Sequence, residues 1–316
     1  MGAVSRRRFV RTAAAAGTLA AASPRSLFAQ QPRTAPPLCF FSKPLPQMDA
    51  SRLGRALTSL GFSGVDLTVR PGGHVDPARV AGDLPPFVAA LRQQGLDVPM
   101  ITTALVADSD PAARPTLETA ARLKIPYYKP GYYHYQFVDL RKELDAAGRQ
   151  LRGLAGLSAQ IGMQLGFHNH AGYVGGSIWD IATVIDSLDA SWAGYYFDVR
   201  HAVVEGGDGG WRTAFLRVAP RLKMIALKDF FWEKTAAGWR QRHCPMGEGM
   251  VDWKAFFAML AKSGFRGPAS LHIEYEIPGA TAAAREERTL AAAARDLAFV
   301  NARLAEAYSE AAARGL

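Results

Sequence analysis

The stretch Met163-Gln164-Leu165-Gly166-Phe167-His168-Asn169-His170 decides the fold. It is a short apolar run that opens after Gly162 and closes on two histidines. A helical pattern over 139–162 precedes it and another over 177–188 follows. The next apolar run, 193–198, again ends on a charged residue, Asp198. Runs this short, set between longer helical patterns, are strands of a strand–helix–strand unit.

The same unit repeats outward in both directions. Strands are expected at 38–42, 65–69, 98–103, 126–129, 163–168, 193–198, 222–228 and 269–274. Helices are expected near 49–60, 84–95, 111–124, 139–162, 177–188, 211–219, 252–264 and 284–309. Gly61, Gly95, Pro126, Gly162, Pro220 and Gly264 punctuate the junctions. Strict alternation of about eight strand–helix units predicts a closed parallel sheet, a single-domain (β/α)8 TIM barrel over 38–310. An open doubly wound sheet would carry a Gly-rich phosphate turn after its first strand. Here that strand runs into Ser42-Lys43-Pro44-Leu45-Pro46. The last helical segment is Ala- and Arg-rich and is expected to pack outside the barrel.

The chain has 316 residues, 49% hydrophobic and 21% charged, the balance of a soluble protein with a real core. The formal charge of +9 does not indicate nucleic acid. Arg6, Arg7, Arg8, Arg11 and Arg25 lie in the first 29 residues, which hold no Asp or Glu. No later run of Lys and Arg interleaved with aromatics would track phosphates.

Residues 1–29 read as an address. Ser5-Arg6-Arg7-Arg8-Phe9-Val10-Arg11 is a twin-arginine (Tat) pattern, followed by an Ala-rich apolar stretch and a small residue at Ala29. That stretch is too short for a stable membrane anchor. Residues 30–37 form a Pro-rich linker. A periplasmic or secreted location is expected. Cys39 and Cys244 match no metal-binding spacing and are either paired or two buried thiols.

Function is read from where the polar residues fall. Barrel enzymes place their chemistry at the C-terminal ends of the strands. Strand two runs into Asp66, Arg70 and His74, and strand four ends Lys129-Pro130-Gly131-Tyr132-Tyr133-His134. Strand five ends His168-Asn169-His170, strand six Asp198-Val199-Arg200-His201, strand seven Lys228-Asp229 and strand eight His272-Ile273-Glu274-Tyr275-Glu276. A carboxylate at the end of a buried strand is costly without a metal, a base or a charged partner. Several from different strands converge on one volume.

These residues and their order resemble the sugar-phosphate isomerase/epimerase superfamily, built on the xylose-isomerase-like barrel. The resemblance rests on Gly61-Phe62-Ser63-Gly64-Val65-Asp66-Leu67, His168-Asn169-His170, Asp198 with His201, Lys228-Asp229, Met246-Gly247-Glu248-Gly249, Val251-Asp252-Trp253 and Ile273-Glu274. It implies a divalent metal (Mn, Zn, Mg or Co) held by residues of strands five to eight, with two Glu residues moving protons. Asp198 matches the strand-six ligand, Glu274 the strand-eight ligand and base, and His201 a substrate-contacting His. Two positions depart: the strand-five Glu position holds His168, and the strand-seven His position holds Ala226.

Two arrangements follow. A metal binds through His168, Asp198 and Glu274, or the metal is gone and Lys129 and Lys228 supply the positive charge. Either serves proton abstraction beside a carbonyl through an enediolate. Glu274, His168 and Lys228 are the expected catalytic residues. His201, Lys129, His170, Tyr133 and Trp232 are expected to contact a small-molecule carbohydrate, and Tyr132 and Trp211 are either further ring-stacking residues or core. Isomerase or epimerase action leads. A keto-sugar lyase or dehydratase uses the same parts, and a periplasmic sugar-binding barrel without turnover is the non-enzymatic alternative. An endonuclease IV-like phosphodiesterase would need a richer metal set and a basic surface.

Overall fold

A computed structural model describes residues 35–313. The expected leader at 1–29 and most of the linker lie outside the described residues. Eight parallel strands close into a barrel in the order β1-β10-β7-β6-β5-β4-β3-β2. They are β1 (Leu38–Phe41), β2 (Gly64–Val69), β3 (Asp97–Thr103), β4 (Tyr127–Lys129), β5 (Gln164–His168), β6 (Ala193–Asp198), β7 (Leu222–Leu227) and β10 (Ala269–Leu271). The helices α1 (Ala50–Leu60), α2 (Val80–Gln93), α3 (Ala113–Arg122), α4 (Leu140–Ile161), α5 (Ala182–Asp186), α6 (Val199–Val218), α7 (Trp253–Ser263) and α8 (Ala282–Ala313) complete the units. Among the described residues no helix is long and apolar enough to cross a membrane.

Local chemistry sets the boundaries. Asp49, Asp139 and Asp252 accept backbone N–H bonds at the starts of α1, α4 and α7. Gly162, at φ 84°, ends α4 in the left-handed conformation just ahead of β5. The period of two along each strand then sorts side chains. Odd-numbered Val65, Leu67, Ile101, Leu165, Phe167, Tyr195, Phe197, Ile225 and Leu227 join the large core shared with the helices. Even-numbered Met100, Tyr196, Met224 and Ala226 form a separate apolar cluster. Asp66 on β2 accepts hydrogen bonds from Thr102, Tyr196 and Ser270, on β3, β6 and β10. Bonds among these four strands require the even-numbered residues to point into the barrel, where further layers end in charged groups at the mouth.

Three elements differ from the sequence expectations. The pattern at 177–188 folds only as the short helix α5. The helix expected at 211–219 begins at Val199, directly after β6, with a kink at Gly207 (φ 60°). A hairpin, β8 (Asp229–Thr235) with β9 (Gly238–Cys244), occupies the connection after β7. Cys39 and Cys244 are both buried and free.

Candidate functional site

Asp229 fixes the frame in which the site is built. It is buried and accepts from the backbone N–H groups of Phe230, Gly247, Gly249 and Val251 and from the Trp253 indole. One carboxylate thus ties the Met246–Gly249 turn and the start of α7 to the end of β7, next to Lys228. Lys228-Asp229 is therefore not a surface ion pair.

Asp198 ends β6 and caps α6, accepting from the His201 N–H at 3.1 Å. Its backbone is held by Asn169, which donates Nδ2 to its carbonyl at 2.9 Å and accepts its N–H at 2.8 Å. Asn169 extends the β5–β6 register one residue past the ladder. Two cations or donors reach Asp198 Oδ2: His168 Nε2 at 3.1 Å and Lys228 Nζ at 3.2 Å. Lys228 Nζ also donates to Glu274 Oε2 at 2.8 Å, and Lys43 Nζ to Glu274 Oε1 at 2.9 Å. Glu274 stands beyond β10, which ends at Leu271 rather than continuing to 274.

Burial and charge fix the protonation states. Burial works against the Lys228 ammonium, but Asp198 and Glu274 outweigh it and hold its pKa above the ordinary lysine value. Burial would raise both carboxylates. Against it, Lys228 and His201 hold Asp198, and Lys228, His272 and Lys43 hold Glu274, well below the usual range. Burial pushes His168 down to about 3 and His170 to about 4, so both are neutral near pH 7. With Asp198 ionised, His168 carries its proton on Nε2. Its Nδ1 accepts the Tyr132 hydroxyl at 3.1 Å.

Lys129, on β4, lies in a different setting. It is buried, and its Nζ stands 3.4 Å from the centre of the Tyr132 ring. Burial, and then the nearby Arg70, drive its pKa well below the ordinary value.

These groups enclose a cavity of about 230 Å³ at the barrel mouth. Lys129, His168, His170, Lys228 and Glu274 all line it. Asp198 lies just beneath, joined through His168 and Lys228. His201 lies behind the wall. Arg200 donates to its Nδ1 at 2.8 Å, its ring lies tilted with its centre 3.8 Å from that of His170, and its buried Nε2 has no hydrogen-bond partner. Two expected sugar contacts lie elsewhere. Tyr133 is buried against Phe167 and donates to the Val106 carbonyl at 2.7 Å. Trp232 is partly exposed on the hairpin, paired with Gln241. Tyr132, the residue before Tyr133, faces the cavity instead. Trp211 is core.

Further groups line it too, among them Arg70, Tyr173, Tyr196 and His272. His272 was within reach of the sequence, because it shares its parity with Ser270 and Glu274. Tyr196 donates to Asp66 at 3.1 Å and accepts His272 Nε2 at 3.0 Å. His272 Nδ1 is left buried and unbonded, 3.9 Å from Glu274 Oε2.

The expected metal ligands His168, Asp198 and Glu274 are linked by a hydrogen bond and through Lys228. Among the described residues no group of three or more His, Cys, Asp or Glu is placed to hold a metal ion. His168 presents an N–H, not a lone pair, to Asp198, and Lys228 fills the space between Asp198 and Glu274. Ala226 contributes no donor from β7. Lys228 stands between the two carboxylates.

Comparison with known proteins agrees with the architecture. The curated rhizopine catabolism protein MocC of Rhizobium meliloti is 28% identical over 137 residues, 40% of this chain. The match spans 41% of that protein's length. The structure of an L-ribulose 3-epimerase superposes with a TM-score of 0.64 at 16% identity, covering 88% of this chain and 98% of that one. The 3-keto-D-glucoside 4-epimerase YcjR of E. coli superposes with a TM-score of 0.61 at 16% identity, covering 82% and 99%. At such identity the likeness is one of fold. The sequence profile described as xylose isomerase-like TIM barrel matches residues 55–297, and the chain belongs to that family.

Proposed function

We propose that this protein is a carbohydrate-active enzyme of the isomerase/epimerase kind, removing a proton next to the carbonyl of a sugar or keto-sugar. One observation carries the reading: an ionised, largely buried carboxylate, Glu274, shares a small polar cavity with an ammonium 2.8 Å away. Glu274 takes the carbon-bound proton. Lys43, half-exposed at the rim, is the partner free to leave Oε1 for that step. The negative charge that develops on the carbonyl oxygen is stabilised from the Lys228 side of the cavity. The protonated Glu274 carboxyl then holds that proton and returns it to a carbon of the enediolate, while neutral His168 and His170 line the cavity without changing charge.

Return of the proton to the neighbouring carbon moves the carbonyl, and return from the opposite face inverts the centre. A leaving group one carbon further on makes the same intermediate a lyase route. Export by the twin-arginine leader would set a free or glycosidic sugar, rather than a sugar phosphate, before the site.

The test is solvent exchange. Ketoses and 3-keto-glycosides incubated with the protein in D2O are expected to gain deuterium next to the carbonyl, read by NMR. Glu274→Gln is expected to lower that rate by about 10²–10⁴ with little change in sugar affinity. Binding of the sugar without exchange, equal in both proteins, would identify a sugar-binding barrel instead.

A further inference from the structure

We infer that the Lys228 ammonium takes the place of a divalent cation in this barrel, so that the site works without a metal and gains one only when Lys228 is removed. The chemical role of that charge rests on the function proposed above; the occupancy itself does not.

Four observations converge. Lys228 Nζ stands 3.2 Å from Asp198 and 2.8 Å from Glu274, bridging carboxylates from two different strands as a metal ion would. Its side chain is 4% exposed, so the ammonium has no solvent refuge if an ion enters. The remaining oxygens are occupied in the resting site: Asp198 Oδ1 by the His201 N–H, and Glu274 Oε1 by the half-exposed Lys43. On β7, Ala226 packs with Met100, Tyr196 and Met224 and offers an ion nothing. Ala226 is on β7 and Lys228 follows directly after its end; Ala226 packs against Met100, Tyr196 and Met224, and Lys228 meets Asp198 and Glu274. The strand therefore lacks a donor where it faces the barrel interior and supplies its own cation one step higher.

Charge accounting agrees. A dication added beside Lys228 and Lys43 would bring four positive charges against Asp198 and Glu274. With Lys228 replaced by a neutral residue, the two carboxylates would keep only Lys43 at the rim, leaving room and net negative charge for a hard cation.

Mn²⁺ is the probe, read by electron paramagnetic resonance titration and thermal unfolding of the full chain. The wild-type protein is expected to carry no stoichiometric metal on isolation. It should show the same unfolding temperature with and without chelator and no saturable Mn²⁺ site. Lys228→Ala is expected to gain one site, binding at least about tenfold tighter than wild type, with a rise in unfolding temperature as Mn²⁺ is added. Lys228→Gln keeps much of the side-chain volume and serves if the alanine variant does not fold. A wild-type protein isolated with one bound metal that is lost in Asp198→Asn would overturn the inference. So would failure of both Lys228 variants to gain Mn²⁺. These readouts involve no turnover. A chain that exchanges no sugar proton yet shows the expected metal pattern refutes only the proposed function, and an active enzyme with a native metal refutes only this inference.

Discussion

Two walls of the barrel mouth carry a buried lysine each, and they treat it in opposite ways. On the β7 wall, Lys228 is gripped by Asp198 and Glu274 and held protonated above its ordinary range. On the β4 wall, Lys129 has an aromatic face and Arg70 for neighbours, and its proton is loosened. Both are nearly inaccessible to solvent. The difference teaches that burial alone does not set a lysine's chemistry. Carboxylates within hydrogen-bond reach decide whether the group is a fixed cation or an amine able to exchange a proton.

The largest effect should come from removing the two lysines in turn. Lys228→Met is expected to cost about 3–5 kcal/mol of stability, measured by denaturant unfolding, because two carboxylates lose their partner. It should also lower turnover by about 10²–10³. Lys129→Met should change stability by about 1 kcal/mol or less. Equal losses would break the contrast.

The histidines sharpen it through pH. His168 is neutral down to about 3 and His170 to about 4 in the folded protein, against 6.5 as the ordinary value. Protons therefore bind the unfolded chain first, and stability is expected to fall as pH drops from about 6.5 towards 4. The depressed Asp198 and Glu274 act in the same direction at lower pH, since their contribution is lost as pH falls through their folded values. Raised Lys228 contributes stability below its unfolded value and loses it at high pH. Unfolding free energy measured across pH 4–7 should show a shallower slope for His168→Gln.

The smallest effect belongs to the hairpin. Trp232→Ala should leave sugar exchange rates within about twofold and stability within about 0.5 kcal/mol, as for other partly exposed residues. A large rise in KM would place Trp232 over the substrate and redraw the cavity.

Much of this was legible in the sequence because barrel strands are short, apolar and end in polar residues. β5 and β6 are the clearest cases, closing on His168 and Asp198. The hairpin β8–β9 was not, because most of its residues are exposed and its alternation has no buried stripe to mark it. The start of α6 was hidden by Gly206, Gly207, Gly209 and Gly210, which read as a break, while Asp198 read as a strand end rather than a cap. Tyr132 and Tyr133 could not be told apart from the sequence, because the chain leaves β4 at Lys129 and parity no longer predicts direction. The placement of Lys228 between two carboxylates depends on distances across the barrel, to which spacing along the chain is blind.

Asp198 is the last residue of a strand and the residue that starts the next helix, with no loop between. At this one strand the barrel has no slack. The carboxylate cannot swing to meet an incoming group without unwinding the first turn of α6. Adaptation to a new substrate must therefore come from the longer connections after β2, β4, β5 and β7, while this corner stays the fixed point from which they are measured.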